Sequence, residues 1–578
     1  MKPQSKTAAL LITLGLLWGT AANAQLTVFN SNVPAGFAVT GFIQAATLNP
    51  GGAPNAGGTI TINNITMTVP DNSVIQMPAQ ALTWAQLFDV KQSAPVFDNA
   101  IPAPTPPPIN HPANNSLGQP MTGLGLADAP ATPAAAGSFP GFFPSCEVTV
   151  IGNIGTTGVT GNPPFIVAMI LPVSQEIANA GAGFITAIDF QKGRFEVNGT
   201  LNTLNTGTVV EINDPVGRYG LAHSPDPRFR ADTENPTVTS GNGFPMGIPR
   251  VAPPAIDLDR PTFNRPLNPA PGVTTPFPHN AFLQVRAPLM SFTMPAAPAA
   301  GATKPDPWKQ VPFMVGDFVT FSGSLYKTHP NDPVTSFDPT KPVSATNRPM
   351  NQQFYISANT VTAEKVEVIT AAGSVAQVGP AYMSLEHTKI GTGPAVPPPL
   401  VGRLIPPAPG IDGGVVPVIE PKDNIRIIGF VTEPTAPVDI FAVDVNPANG
   451  QEQPRLLGSV IPEVGPPGMG NRGRFRFDVG KASVLPVTRE FLVRTQHGTV
   501  PLTKQVGING SQLDGLQSGQ YQAPNFDYQI ADSPPGFPIS ASNFNTFPFL
   551  AKGEGPNQDI GGATVTIGPL TPFPPSTP

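Results

Sequence analysis

Apolar and polar positions alternate along this chain in short runs, the pattern of β-strands. From Gly41 to Pro78 it opens on Gly-Phe-Ile, turns, and alternates through Thr59-Ile60-Thr61-Ile62-Asn63-Asn64. That segment ends on Ser73-Val74-Ile75-Gln76-Met77 before a proline. From Gly183 to Pro215 the same order returns: Gly-Phe-Ile, a turn, Arg194-Phe195-Glu196-Val197-Asn198-Gly199, then Thr208-Val209-Val210-Glu211-Ile212. Strict alternation buries one face of a strand and wets the other, and the Asn-Gly at 198–199 is a hairpin signal. The two segments read as an internal duplication, the first copy lengthened by NPGGAPNAGG.

Further strands follow the same rule. Cys146–Asn153 and Phe165–Ile170 flank a Gly/Asn/Pro turn, and Val315–Leu325, Phe354–Ser357 and Val366–Ile369 form a third β region. Short strands with a Gly-Asp turn predict barrels of the oligonucleotide/oligosaccharide-binding kind. Ile425–Thr432, Val438–Val445, Gly473–Val479 and Arg489–Thr495 have the spacing of an immunoglobulin-like sandwich. The one helix pattern is QALTWAQLFDV, Gln80–Val90. Pro/Ala-rich stretches between these regions read as extended connectors, because proline removes ladder donors. Phe-Pro pairs at Phe139, Phe143, Phe244, Phe277, Phe537, Phe547 and Phe573 read as plugs that pin them.

The expected fold is therefore all-β: several small antiparallel barrels and an immunoglobulin-like sandwich, joined by proline-rich connectors. The expected boundaries are a first barrel unit at 25–100, a connector at 101–140 and a second barrel unit with a polar loop at 141–250. A connector at 251–312, a third barrel unit at 313–393 and a connector at 394–421 follow. The sandwich occupies 422–505, and a Pro/Gly-rich tail 506–578.

Composition adds a compartment. MKPQSK is a basic start, Ala8–Trp18 an apolar run too short to cross a bilayer, and Ala22-Asn23-Ala24 a cleavage pattern. Together they read as a secretory signal peptide over 1–24, with the mature chain starting at Gln25. The expected location is extracellular, periplasmic or at the cell surface, with no transmembrane segment. The chain has one cysteine, Cys146, so no internal disulfide can form. It reads as a buried apolar residue, an intermolecular bridge or a thiol nucleophile.

Charged residues make up 12% of the 578 positions, about half the usual share. The net charge is −6, which argues against nucleic acid as a partner because phosphate binding needs a dense basic surface. Against that background one segment is rich in charge: Asp214, Arg218, His223, Asp226, Arg228, Arg230, Asp232 and Glu234. It reads as a ligand site, a Ca²⁺ site or an Arg–Asp network clamping a loop. Its spacing is not that of an EF-hand, and its arginines would repel a cation. Asp257 and Asp259 form a lone D-x-D candidate for paired carboxylate chemistry.

The six histidines, His111, His223, His279, His329, His387 and His497, show no H-E-x-x-H spacing, and no G-x-S-x-G or Walker loop occurs. No motif calls for a cofactor. Of the two mature tryptophans, Trp84 reads as core and Trp308 as the more exposed, too few for a lectin row of aromatics. Asn64, Asn114, Asn198 and Asn509 are glycosylation sequons.

A set of stretches resembles one family. They are ALTWAQLF (81–88), VTVIGN (148–153), GFITAIDFQKGRFEVNG, VVEINDPVGRYG (209–220), DPRFRADTENPTV (226–238), GFPMGIPR (243–250), VGDFVTFSGSL (315–325), YISANTV (355–361) and VDIFAVDVNP (438–447). They are similar to secreted multidomain β proteins of fungi and some bacteria. The resemblance implies export and a shared β architecture, and no catalytic residues. A cysteine is often found in that family where Gly247 stands here. The expected function is a secreted, non-catalytic binding or scaffold protein of the cell envelope or extracellular space, with a cell-wall or matrix polymer as partner. The alternatives are a secreted enzyme with its site near Asp214–Glu234 and a polysaccharide-binding adhesin.

Overall fold

The computed structural model describes residues 35–49, 57–69, 73–79, 81–88, 119–125, 128, 146–154, 165–172, 180–232, 235–265, 290–297, 304–327, 340–342, 347, 354–372, 379–391, 424–445, 452–465, 472–480, 490–496, 504–506, 512–514, 518–524, 527–529, 555–558 and 564–567. The protein is predominantly β.

The first sheet shows how local pattern becomes closed structure. Its strands are β1 (Ala35–Leu48), β2 (Gly58–Ile62), β3 (Ile65–Val69), β4 (Val74–Gln76), β5 (Ala81–Thr83), β6 (Glu147–Ile154) and β7 (Phe165–Pro172), with one helical turn, α1 (Trp84–Phe88), after β5. Alternation turns Ile60, Ile62, Met67 and Val69 into a core that also holds Trp84, Val148 and Val150. Asn63 and Asn64 have φ of 50° and 62°, the left-handed pair that a two-residue hairpin turn requires. β1 pairs with β2 and with β6, β2 with β3, and β6 with β7. A parallel bridge, Thr68↔Ile166, joins β3 to β7 and closes a ring of five strands. β4 and β5 extend it from β7.

The second ring repeats this order. It uses β8 (Gly181–Asp189), β9 (Arg194–Val197), β10 (Thr208–Ile212), β15 (Phe318–Lys327) and β16 (Phe354–Ala363). β8 pairs with β9 and β15, β9 with β10, and β15 with β16. β10 closes on β16 in parallel from Val209↔Tyr355 to Ile212↔Ala358. Between β10 and β15 lie β11 (Val238–Ser240), which joins β16, β12 (Met246–Gly247), β13 (Met290–Met294) and β14 (Val311–Pro312). β12 pairs with β14, and β13 with β17 (Val366–Thr370).

The duplication is kept at the level of register. Each first strand bulges at the same place, between Ile43 and Ala45 and between Ile185 and Ala187. Each fourth strand bulges at a glycine step, Ile151/Gly152 and Ser322/Gly323. The row Thr59–Thr68–Ile166 in one ring is Arg194–Glu211–Ser357 in the other. Both rings also share a clamp. Asn63 donates from Nδ2 to the Thr40 carbonyl, and Asn198 to the Ala182 carbonyl. The residue that follows each carbonyl, Gly41 or Gly183, must lack a Cβ, which would fall 2.7 or 2.3 Å from the asparagine side chain.

The third body is a sandwich. One sheet orders β22 (Arg474–Gly480), β19 (Asn424–Val431), β18 (Met383–Gly391) and β27 (Asp527–Gln529). The other orders β21 (Glu452–Val460), β20 (Val438–Val445), β23 (Glu490–Thr495) and β26 (Gln520–Pro524). Ile425, Ile427, Phe475 and Phe477 face Val438, Ile440, Phe491 and Val493 across a common core, which Ile151 and Met169 of the first ring join. Two further hairpins are β24 (Lys504–Val506) with β25 (Gln512–Asp514) and β28 (Gly555–Gln558) with β29 (Thr564–Ile567).

The strand pairings redraw the expected boundaries. β6 and β7, assigned to a second unit, complete the first ring. β15 and β16, assigned to a third barrel, complete the second, so 313–393 is not a separate unit. The sandwich begins with β18, ahead of 422, and takes β26 and β27 from the expected tail. The expected connectors are not borders: 101–140 and 251–312 each fall between the third and fourth strands of a ring, and 394–421 falls between β18 and β19 of the sandwich. Part of an expected connector is packed, with Asp257, Asp259, Arg260 and Arg265 buried. The expected helix shrinks to α1, because Ala81–Thr83 pairs with β4 instead. Of the Phe-Pro plugs, Phe244 is buried in the second core. The others lie outside the described residues.

The shared clamp gives a prediction. Asn198 has φ 59°, so Asn198→Ala loses two hydrogen bonds and places alanine in left-handed backbone. Urea denaturation should show a loss of about 1–3 kcal/mol. Asn198→Gly should lose less, since glycine adopts that backbone freely.

Candidate functional site

Alternation alone would leave polar residues on wet faces, yet the second ring and the connection that follows β10 bury many of them. β9 and β10 turn Phe195, Val197, Val210 and Ile212 to the core. Their opposite face carries Arg194, Glu196 and Glu211, which are also buried. Glu196 is fully used by its loop: it accepts from the backbone N–H groups of Asn205 at 2.6 Å, Thr206 at 2.9 Å and Gly207 at 2.9 Å. Glu211 lies 3.4 Å from Arg194 and 2.9 Å from His223 Nε2. The Tyr355 hydroxyl is 3.1 Å from the same imidazole nitrogen. Burial, with Glu211 adding to it, pushes the Tyr355 phenol well above its ordinary value. Tyr326 stacks on Tyr355 with centroids 5.9 Å apart.

The connection leaves β10 through Asn213, whose Nδ2 donates to the carbonyls of Asp226 and Phe229, both at 2.9 Å. Asp214 is buried and accepts from the backbone N–H groups of Gly217 at 2.9 Å and Tyr219 at 2.6 Å. Gly217, at φ 75°, allows the chain to curl around that carboxylate. Burial raises the Asp214 pKa against the pull of the Tyr219 and Arg218 backbone N–H groups and of the Arg260 and Arg218 charges. The Tyr219 hydroxyl donates to the Asp232 carbonyl. The Arg218 carbonyl accepts from Arg260 and from Gln310.

Asp226 caps the 3₁₀ turn Pro227–Phe229 by accepting from Arg228 N. Its carboxylate also holds the Arg228 guanidinium, with Nη2 at 2.7 Å and Nε at 3.0 Å. Arg228 Nη1 donates at 2.8 Å to two carbonyls of the first ring's own connection, Leu87 and Thr122. Phe229 then enters the first ring's core beside Trp84 and Leu87. Burial works against the Arg228 charge, but Asp226 outweighs it and raises the pKa above the usual arginine value.

The structure therefore splits the eight residues flagged by sequence. Asp226 and Arg228 pair with each other, and His223 turns to Glu211 and Tyr355. Asp214 and Arg218 organise the turn. Arg230 and Asp232 are buried, and Asp232 accepts from Asn235 at 3.0 Å. Glu234 lies outside the described residues. The D-x-D carboxylates face arginines: Arg250 reaches Asp257 and Asp259 at 2.6 Å each, and Arg260 reaches Asp257 at 3.2 Å. Burial alone would raise the Asp257 carboxyl, but the hydrogen bonds from Arg250 and the charge of Arg260 carry it well below the usual range.

Sequence reading did not select Glu211, Arg194 or Tyr355, because each looks like the polar or aromatic alternate of an ordinary strand. The signal that could have found them is a charge at Arg194 and Glu211 where the first copy has Thr59 and Thr68. Trp84 is core and donates to the Thr47 carbonyl at 2.9 Å; Trp308 is half-buried, and Cys146 is buried. Among the described residues, no group of three or more His, Cys, Asp or Glu side chains could hold a metal ion.

No protein-family profile, curated protein or solved structure matches the chain.

Two outcomes follow. Arg228→Met leaves Asp226 buried without its cation and should cost about 3–5 kcal/mol. The double change Asp226→Asn/Arg228→Met should cost less, read from urea midpoints. The Asp257 pairs stabilise the fold while that carboxylate is ionised, and its folded pKa lies below its unfolded one. Their contribution is present above the ordinary aspartate value, about pH 4, and is lost progressively as the pH falls below it. Thermal melting against pH should show that decline, and Asp257→Asn should flatten it.

Proposed function

We propose that this chain is a secreted, non-catalytic binding or scaffold protein of the cell envelope or extracellular space. The observation that carries the reading is the use made of Asp226 and Arg228. These two, from the charge-rich segment Asp214–Glu234, neutralise each other and tie the second ring's connection to two carbonyls of the first. Charge here joins bodies. A neutral contact also does so where Asn235 exchanges hydrogen bonds with the Gln522 backbone of the sandwich, at 2.9 and 3.1 Å. A polymer-facing scaffold needs relative positions fixed in this way.

Finer assignments support the same reading. The ring order, with the third strand parallel to the fifth, is the arrangement we take for an oligonucleotide/oligosaccharide-binding-like barrel, and the two four-stranded sheets we take as immunoglobulin-like. The signal-peptide pattern before Gln25 favours export. No helix among the described residues is long and apolar enough to cross a membrane.

The test is co-sedimentation of the purified mature chain with insoluble cell-wall and matrix fractions, with the fractions assayed for released products. Retention without product release is the expected result. Product release lost in an Asp214→Asn or His223→Ala variant would replace this reading with a hydrolytic one.

A further inference from the structure

One surface of the sandwich departs from the chemistry of the rest of the chain. Arg472, Arg474 and Arg476 fall within five residues of a 578-residue chain that has 31 Lys and Arg in all. β22 alternates, so Phe475 and Phe477 enter the core while Arg474, Arg476 and Asp478 point outward. On the neighbouring strand β19, Arg426 stands opposite Asp478 and is flanked by the core residues Ile425 and Ile427. Three guanidiniums therefore share one sheet face. The side chains of Arg426, Arg474 and Arg476 are 31%, 33% and 54% exposed.

Two carboxylates form the ion pairs of these three cations. Asp478 is shared, lying 2.7 Å from Arg426 and 2.8 Å from Arg476. Glu386 meets Arg474 at 3.3 Å, and both reach solvent. Exposed pairs of this kind are weak and exchange readily with other anions. Along β22, Arg474 and Arg476 are about 6.8 Å apart, and Arg426 lies diagonal to Arg476 across a strand spacing of about 4.8 Å. Guanidinium forks spaced in this way suit a series of carboxylate or sulfate groups.

We propose that this face docks an acidic polysaccharide, an extended polymer carrying carboxylate or sulfate groups at regular intervals. The inference rests on the binding reading above and names its partner class. Nucleic acid is the less favoured polyanion: single-strand binding uses exposed rings on which bases stack, and the ring opposite Arg474, Phe430, is buried.

The experiment measures binding of the full mature chain to polygalacturonate, dextran sulfate, fully methyl-esterified polygalacturonate and a single-stranded DNA oligonucleotide. Binding to one or both acidic glycans is expected, falling several-fold between about 50 and 300 mM salt as the contacts are screened. Arg474→Gln/Arg476→Gln should weaken it about tenfold with little change in the melting curve, since Arg476 is exposed, Arg474 is half-buried and both lie outside the core. Asp478→Asn, which removes a competing carboxylate, should strengthen it about two- to threefold. Equal binding to the neutral ester, tighter binding to the oligonucleotide, or an unaffected double variant would overturn the proposal. If the double variant is still retained by wall fractions while no acidic glycan binds, this face is excluded and the binding reading stands. If neither binds, both fall.

Discussion

Parallel pairing of the third strand with the fifth is the constraint on which the rest of this architecture depends. A sheet of five short strands exposes two edges, and unpaired backbone groups at those edges are a liability. Closing the ring removes them. Parallel closure, however, cannot be made by a hairpin; the chain must travel between the paired strands. Here the travelling segment includes the fourth strand and, before it, a long connection. In the first ring that connection includes α1 and its buried Trp84, and in the second it includes the buried arginines and aspartates. Two rings with one wiring thus differ most where the wiring leaves room.

The buried charges then follow from electrostatics. A single guanidinium or carboxylate removed from water is strongly unfavourable, and a bare pair gains back only part of that loss. Each pair seen here is supplemented by backbone groups or a second partner. Arg228 has two carbonyls in addition to Asp226, and Asp257 has two arginines. Arg265 and Asp317, 2.6 Å apart, bring the end of the 251–265 segment to the turn before β15. Such arrangements contribute less to net stability than an apolar core of equal size, but they tolerate few alternative geometries. That is what an irregular loop lacking regular hydrogen bonds requires in order to hold one shape.

Much of the local structure was legible in the sequence. Alternation in Thr59–Ile62, Val438–Val445 and Phe475–Val479 located strands, and the repeated Gly-Phe-Ile marked the two first strands, because these signals lie within a few residues. Ring membership was not legible. Thr68 meets Ile166, and Val209 meets Tyr355, across long stretches of chain, and nothing near either residue names its partner. The charged segment was visible as a cluster, yet its division was not. Asp226 and Arg228 are two residues apart in sequence, whereas Leu87 and Thr122, which complete their network, belong to the other ring. Arg194 and Glu211 stayed hidden because a strand's wet face is the ordinary place for a charge; only the loop folded over them makes them buried.

Phe229 has an implication for how the molecule is made. It sits in the first ring's core but is encoded after the third strand of the second. During synthesis, the leading ring stays unfinished until that phenylalanine and its arginine anchor have emerged. The polypeptide must therefore keep an open apolar cavity through the delivery of well over half of the strands that build both rings. A stop codon or protease cut between the rings would release an incomplete body with its interior exposed, rather than a smaller working part.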